Sequence, residues 1–254
     1  MQSSKIKKSK IKLIFLSVLI LSSTVLIKLA SWWSNSSKNL ILKNISVSNT
    51  KVIQENELYD LVCGYIGQPL ETIKIDSISK IIENHPYVEA ARISKRYPSQ
   101  IKIELIEREP IAMLNIKPMV FLDKNSFVLP HAISRSNFNL PILNNFNSDL
   151  NLYPFGDKVL SKNVENCIKW LNKIKIEYPS LYRDISEMKM TSDNHMNIIL
   201  SDYPTRIYLG KDQIWNKIKI LKKFENELSP KKLSDFSYLD MRYENQVIAK
   251  NRSL

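Results

Sequence analysis

The chain has 254 residues, 44% of them hydrophobic, a length and composition that allow one or two globular domains. Its formal charge is +12, part of it concentrated in Lys5, Lys7, Lys8, Lys10 and Lys12 before any acidic residue occurs. The rest is spread through a sequence rich in Lys, Asn and Ile with only four glycines, and no basic stripe interleaved with stacking aromatics occurs, so nucleic acid is excluded as a partner.

Residues 1–12 form a basic tail. Residues 13–33 follow as an apolar run broken only by Lys28 and closed by Trp32 and Trp33. That is about the ~20 residues a helix needs to cross a bilayer, with tryptophans at the interface and a lysine near the end that can snorkel. The preceding lysines keep the amino terminus in the cytoplasm and place everything after Trp33 outside. A cleaved signal peptide is the rival reading, but Leu29-Ala30-Ser31 is a poor cleavage site. No second apolar run of that length follows, so the expectation is a single-pass, uncleaved anchor whose lipid contact is residues 13–33. Cys63 and Cys167 lack zinc-ligand spacing and are expected to be small buried hydrophobes.

After a polar juxtamembrane stretch, alternation at Ile45 and Val47 predicts a strand. Leu58, Leu61 and Val62 have helical spacing, ended by Gly64, Gly67 and Pro69. A second helix is predicted over 76–84, capped by Asp76 and carrying Ile78, Ile81 and Ile82. Pro86 stops it. VEAARISK reads as a strand, YPSQ as a turn, and Ile101, Ile103 and Leu105 alternate on a returning strand. The order strand-helix-helix-strand-strand makes a small α+β unit at 39–108, whose edges and helix-free face remain available to other chains.

The phrase HPYVEAARISKRYPSQIKIELIEREPIAML, with Pro86, Tyr87, Val88, Ala91, Tyr97, Pro98 and the run Glu107-Arg108-Glu109-Pro110, resembles a POTRA domain followed directly by the division-protein domain of the FtsQ/DivIB family. In the second unit, 109–250, three short strands are predicted to Pro130. The family's Asp-x-x-Gly-x-Val turn is similar to the run from Asp123 to Val128, with Ser126 in place of glycine and Asn125 expected to take the left-handed conformation. Leu140 to Leu143 resembles the family's next phrase. Val164, Cys167, Ile168 and Leu171 mark a helix, EMKM and NIIL a hairpin, and TRIYLG a strand ending at Gly210. Asp212 is expected to cap a helix whose core face is Ile214, Ile218, Leu221, Phe224 and Leu228. Leu239, Met241 and Tyr243 then alternate, Glu244-Asn245 turns or bulges, and Val247 to Lys250 continues extended. LDMRYENQVIAK resembles the family's Asp-Leu-Arg-Tyr ending. The expected architecture is therefore α+β: one transmembrane helix, a POTRA domain, and a mixed β-domain with two helices.

No H-E-x-x-H, G-x-S-x-G or P-loop occurs, and His85, His131 and His195 read as helix-end and loop residues. Glu104, Glu107 and Glu109 read as solvated positions rather than a glycosidase pair, as do Lys222, Lys223, Lys231 and Lys232. No catalytic residue, metal, cofactor or small-molecule substrate is expected. The resemblance implies instead a bitopic component of the bacterial division complex at the septum, binding partners of the FtsB/DivIC and FtsL type outside the cytoplasm. The mechanism expected is strand addition at the edge formed by about Tyr243 to Lys250, with Arg242, Tyr243, Asn245, Val247 and Ala249 as contact residues and Arg242 pairing with a partner carboxylate. Two rival readings are a polypeptide-transport module, which also uses POTRA domains but needs a run of barrel strands, and an envelope enzyme acting on cell-wall polymer.

Overall fold

The computed structural model describes residues 2–36, 40–131, 139–244 and 246–252. Helix α1 runs Gln2–Ser36. Within it Phe15–Trp33 is long and apolar enough to cross a membrane and has no surface buried by the rest of the chain. The polar groups it carries are satisfied locally: the hydroxyls of Ser22, Ser23 and Thr24 donate to the carbonyls of Leu19, Ile20 and Leu21 at 2.8–2.9 Å, which suits a medium without water.

The first folded part has strand β1 (Asn44–Ser48), helices α2 (Glu55–Val62) and α3 (Ile75–Glu83), and strands β2 (Val88–Arg96) and β3 (Gln100–Glu107), in the expected order. Its sheet is ordered β1-β3-β2, with β1 parallel to β3 and Ile45 and Val47 opposite Ile101 and Ile103. Ile101, Ile103 and Leu105 are buried, as their alternation predicts, and so are Leu58, Val62, Ile78 and Ile82 on the helices. Three details differ. Leu61 is 44% exposed, because α2 buries only the i, i+4 pair Leu58 and Val62. Asp76 lies inside the first turn of α3 rather than before it. Cys63 is exposed, because α2 tightens there into the 3-10 turn Cys63–Tyr65, which moves the side chain off the buried stripe; only Cys167 is buried, and both are free thiols.

The chain divides into two compact units. One is Met1–Ser48, Glu55–Ser79 and Arg92–Glu104; the other is Asn49–Gln54, Lys80–Ala91 and Leu105–Leu254. Elements α3, β2 and β3 thus contribute to both. Inside the second unit the phrase around Glu107 and Arg108 acquires a physical role. Glu107, expected to be solvated, accepts the backbone N–H groups of Lys51, Val52 and Ile53 at 2.8–3.2 Å. The Arg108 guanidinium pairs with the buried Asp123 carboxylate at 3.0 Å and lies 3.6 Å over the Phe127 ring. The Arg108 backbone N–H donates to the Tyr87 carbonyl, and the Tyr87 hydroxyl donates to the Pro130 carbonyl at 2.6 Å. Asp123 also accepts the N–H groups of Asn125 and Phe127, closing the turn. The left-handed residue of that turn is Ser126 itself, at φ 66°, and not Asn125.

The second unit contains β4 (Pro110–Leu114), β5 (Val120–Asp123), β6 (Val128–Pro130), β7 (Ile142–Asn144), α4 (Lys162–Glu177), α5 (Pro179–Asp184), β8 (Ile185–Met190), β9 (Met196–Leu200), β10 (Arg206–Gly210), α6 (Ile214–Glu227), β11 (Phe236–Asp240) and β12 (Ile248–Asn251). Helix α5 is an addition to the two helices expected. The strands form one sheet ordered β12-β11-β10-β9-β8-β7-β4-β5-β6. The pairs β7–β8 and β10–β11 are parallel. Parallel neighbours need a crossover, and α4 with α5, and α6, supply these two. Ala112, Leu114, Leu143, Met188, Ile198, Ile207 and Leu239 are fully buried in one core with Val164, Cys167, Ile168 and Leu171 of α4 and Ile214, Ile218 and Leu221 of α6. Phe224 and Leu228 pack at its margin. Asp212 does not cap α6; the cap position is Gln213, at φ 52° with no side-chain cap bond.

The Arg108–Asp123 pair makes a contrast testable. Removing one partner of a buried ion pair strands a charge at a cost of roughly 3–5 kcal/mol, whereas the exposed Lys124–Glu89 pair at 3.4 Å is worth less than about 1 kcal/mol. Urea denaturation of the detergent-solubilised chain is expected to show Asp123→Ala losing the larger amount and Lys124→Ala almost nothing; equal losses would contradict this division.

Candidate partner-binding edge

A sheet of nine strands has two edges, and the chain treats them differently. At one edge, the 155–159 segment lies along β6. Val128 donates to the Asp157 carbonyl and Gly156 donates to the Val128 carbonyl, both at 2.9 Å, and Val159 donates to the Ser126 carbonyl at 2.9 Å. Bridges at Phe127–Lys158 and Val128–Phe155 complete the cover. At the other edge is β12, antiparallel to β11, with Ala249 opposite Leu239 and Lys250 opposite Tyr238. Its outer side has no strand beside it among the described residues. All four of its residues are exposed.

The edge strand is shorter than the extended stretch Tyr243 to Lys250 that the sequence suggests. The alternation stops at Met241, which is buried and whose N–H donates to the Tyr208 carbonyl at 2.9 Å. Beyond it the ladder is replaced by a side chain: Asp240 accepts the backbone N–H of Arg242 at 3.0 Å. The chain therefore turns, and Tyr243 is 56% exposed instead of continuing the buried row of Leu239 and Met241. Of the five residues singled out in the sequence, only Ala249 lies within β12. Val247 precedes it and packs against the core margin. Arg242 and Tyr243 stand on the loop before that, and Asn245 lies outside the described residues.

Arg242 already has an intramolecular partner. Its Nε and Nη2 donate to the Asp240 carboxylate at 2.6–3.1 Å, and the guanidinium lies 5.4 Å from the Tyr208 ring centre. This fork fixes the loop that carries Tyr243. Gly210 lies beside it and holds φ 77°, a left-handed conformation that favours glycine, although a Cβ there would meet Arg242 Cγ and Lys217 Nζ only at an ordinary contact distance of 3.5 Å. Between α6 and the loop runs a groove of about 620 Å³, lined by Lys217, Ile220 and Lys223 on one side and Arg242, Tyr243 and Glu244 on the other. Lys223, read from the sequence as simply solvated, is thus part of the site's wall. Lys222 instead donates to the Glu177 carbonyl at 2.5 Å. The signal for the groove lay in the lysines that recur along α6, but their convergence with Arg242 needs the β10–β11 crossover.

The Arg242 hydrogen bonds hold the Asp240 carboxyl below its ordinary value, outweighing the opposite push of burial. A carboxylate with a depressed folded-state pKa contributes stability that is present above the ordinary carboxylate range and lost as pH falls through the lowered value. Asp240→Asn is therefore expected to cost about 1.5–3 kcal/mol at neutral pH, and the gap to wild type should close as a series of urea titrations is taken to acid pH. A gap that stays constant with pH would contradict the charged fork.

Comparison with known proteins places this geometry in a family. A model described as "POTRA domain, FtsQ-type" matches residues 40–108, and one described as "FtsQ/DivIB, C-terminal related" matches residues 109–250. The chain is similar to the cell division protein FtsQ of Geotalea daltonii, 23% identical over 82% of this chain and 75% of the relative. It is likewise similar to the FtsQ of Myxococcus fulvus, 20% identical over 83% of this chain and 73% of the relative. The FtsQ of Rickettsia felis is 26% identical over a shorter stretch, 36% of this chain and 38% of the relative. With the second model alone covering more than half of it, the chain belongs to the FtsQ/DivIB family of bacterial cell division proteins.

Proposed function

We propose that the protein is a non-enzymatic, bitopic membrane adaptor of the division complex that binds FtsB/DivIC-type and FtsL-type partners by strand addition along the outer side of β12. The observation that carries this is the asymmetry of the nine-stranded sheet: the β6 edge is covered by the chain itself, and among the described residues the β12 edge is not. Strand addition takes its affinity from unpaired backbone groups and its specificity from alternate side chains. Tyr243 and Ile248, 56% and 44% exposed, supply apolar contacts beside the edge.

The smaller sheet also has edges, at β1 and β2. The β2 edge carries Glu89, Arg92, Lys95 and Arg96 along its length, the kind of charge that deters pairing. Strand β12 has one lysine, Lys250. In this reading residues 39–108 and 109–250 are the two outer domains, residues 13–33 cross the bacterial inner membrane, the basic residues 1–12 stay in the cytoplasm, and the outer domains act at the septum. Arg242 serves by holding the Tyr243 loop through Asp240, and Tyr243, Val247 and Ala249 flank the incoming strand.

Proline at position 249 tests the mechanism better than proline at 247, because Val247 packs on the core. Ala249→Pro breaks the strand at its centre. The full chain carrying it is expected to lose capture of its FtsB/DivIC-type partner while its thermal midpoint falls by only a few degrees, about the shift of a ~1 kcal/mol change. Undiminished capture would sink the edge mechanism.

A further inference from the structure

Strand β12 buries none of its own side chains. A short strand paired to one neighbour with no buried face is marginal in water, so the ordered edge needs anchors at its ends. Val247 provides one at the start, against the core. The other is Arg252. Its N–H donates to the Asp235 carbonyl at 3.0 Å. Its Nη2 donates to the Phe236 carbonyl at 3.1 Å and to the Thr205 hydroxyl at 3.3 Å. Thr205 is fully buried and donates that hydroxyl to the same Phe236 carbonyl at 2.6 Å.

One side chain thereby ties the end of β12 to the start of β11 and to the loop before β10. The guanidinium stands 5.4 Å from the Tyr203 ring centre, within reach of a cation–π contact. Tyr203 holds φ 91°, a conformation that a non-glycine residue adopts only when its surroundings impose it. The Arg252 Nε is buried without a hydrogen-bond partner. A buried unmatched donor is unfavourable, so the side chain is drawn in by its other contacts and not by the lack of somewhere else to go.

We propose that Arg252 is the positioning residue of the partner-binding edge, a staple that keeps β12 in the sheet and in register so that its outer backbone groups meet an incoming strand already aligned. The proposal rests on the edge reading of the preceding subsection. Strand addition needs donors and acceptors at a fixed spacing, and a frayed or slipped strand presents the wrong set. Ordering the edge before the partner arrives removes that cost from binding. Both hydrogen bonds leave one nitrogen, Nη2, and the planar guanidinium adds the contact with the Tyr203 ring that an ammonium makes less well.

The test uses the full chain in detergent micelles, as wild type, Arg252→Ala and Arg252→Lys, with amide hydrogen exchange resolved by segment. Arg252→Ala is expected to speed exchange over residues 248–252 about tenfold, leaving β8, β9 and β10 unchanged, and Arg252→Lys to recover part of the protection. Affinity for the FtsB/DivIC-type partner should follow the same order. Wild-type protection of β12 in Arg252→Ala overturns the staple, as does an equal acceleration of every strand, which would mark a role in general stability. A wild-type chain that binds no such partner overturns the edge reading instead, whatever the exchange shows.

Discussion

Every strand in a sheet presents backbone N–H and C=O groups on two sides, and the groups on an edge must be paired, covered or left to water. The nine-stranded sheet depends on this constraint at both ends. At β6, the chain folds the 155–159 segment back along the edge with three backbone hydrogen bonds. At β12, no strand among the described residues lies along the outer side, and all four residues of the strand are exposed. The helices follow from the same sheet: two of its parallel pairs, β7–β8 and β10–β11, need crossovers, and these bury the inner face and leave the edges unaffected.

The loop between β11 and β12 shows how a side chain takes over where the ladder ends. Asp240 stands in the sheet, yet it accepts from both the backbone and the guanidinium of Arg242. That fork turns the chain, exposes Tyr243 and forms one wall of the groove beside α6. Arg252 repeats the device at the far end of β12, reaching across β11 to Thr205. Strand β12 is thus bracketed by two arginines, one tied to Asp240 and one to Phe236 and Thr205.

Much of this was legible in the sequence where the signal is local. Helix α4 was marked by Val164, Cys167, Ile168 and Leu171, and β3 by Ile101, Ile103 and Leu105, because burial on one face imposes a period on consecutive residues. The strand order was not legible, since β4 pairs with β7 and β10 with β11 across long separations. The same distance hid the role of Glu107, whose partners are Lys51, Val52 and Ile53, and that of Arg108, whose partner is Asp123. Local expectations failed where backbone geometry overrode residue preference: Ser126 took the left-handed position that Asn125 is better suited to, and Gln213 the cap position of α6 in place of Asp212. Of the residues expected along the edge, Arg242 and Tyr243 lie on the loop before β12, Val247 just ahead of it and Ala249 within it, a division that rests on the Asp240–Arg242 fork and not on any pattern in consecutive residues.

The central claim is that a partner strand adds to the outer side of β12. Its most direct measurement is amide hydrogen exchange of the full chain with and without an FtsB/DivIC-type protein. Protection that rises on residues 248–251 while the covered β6 edge stays as it was is the predicted result. Protection that appears along β2 or β1 instead, with β12 exchanging as in the isolated chain, would contradict it.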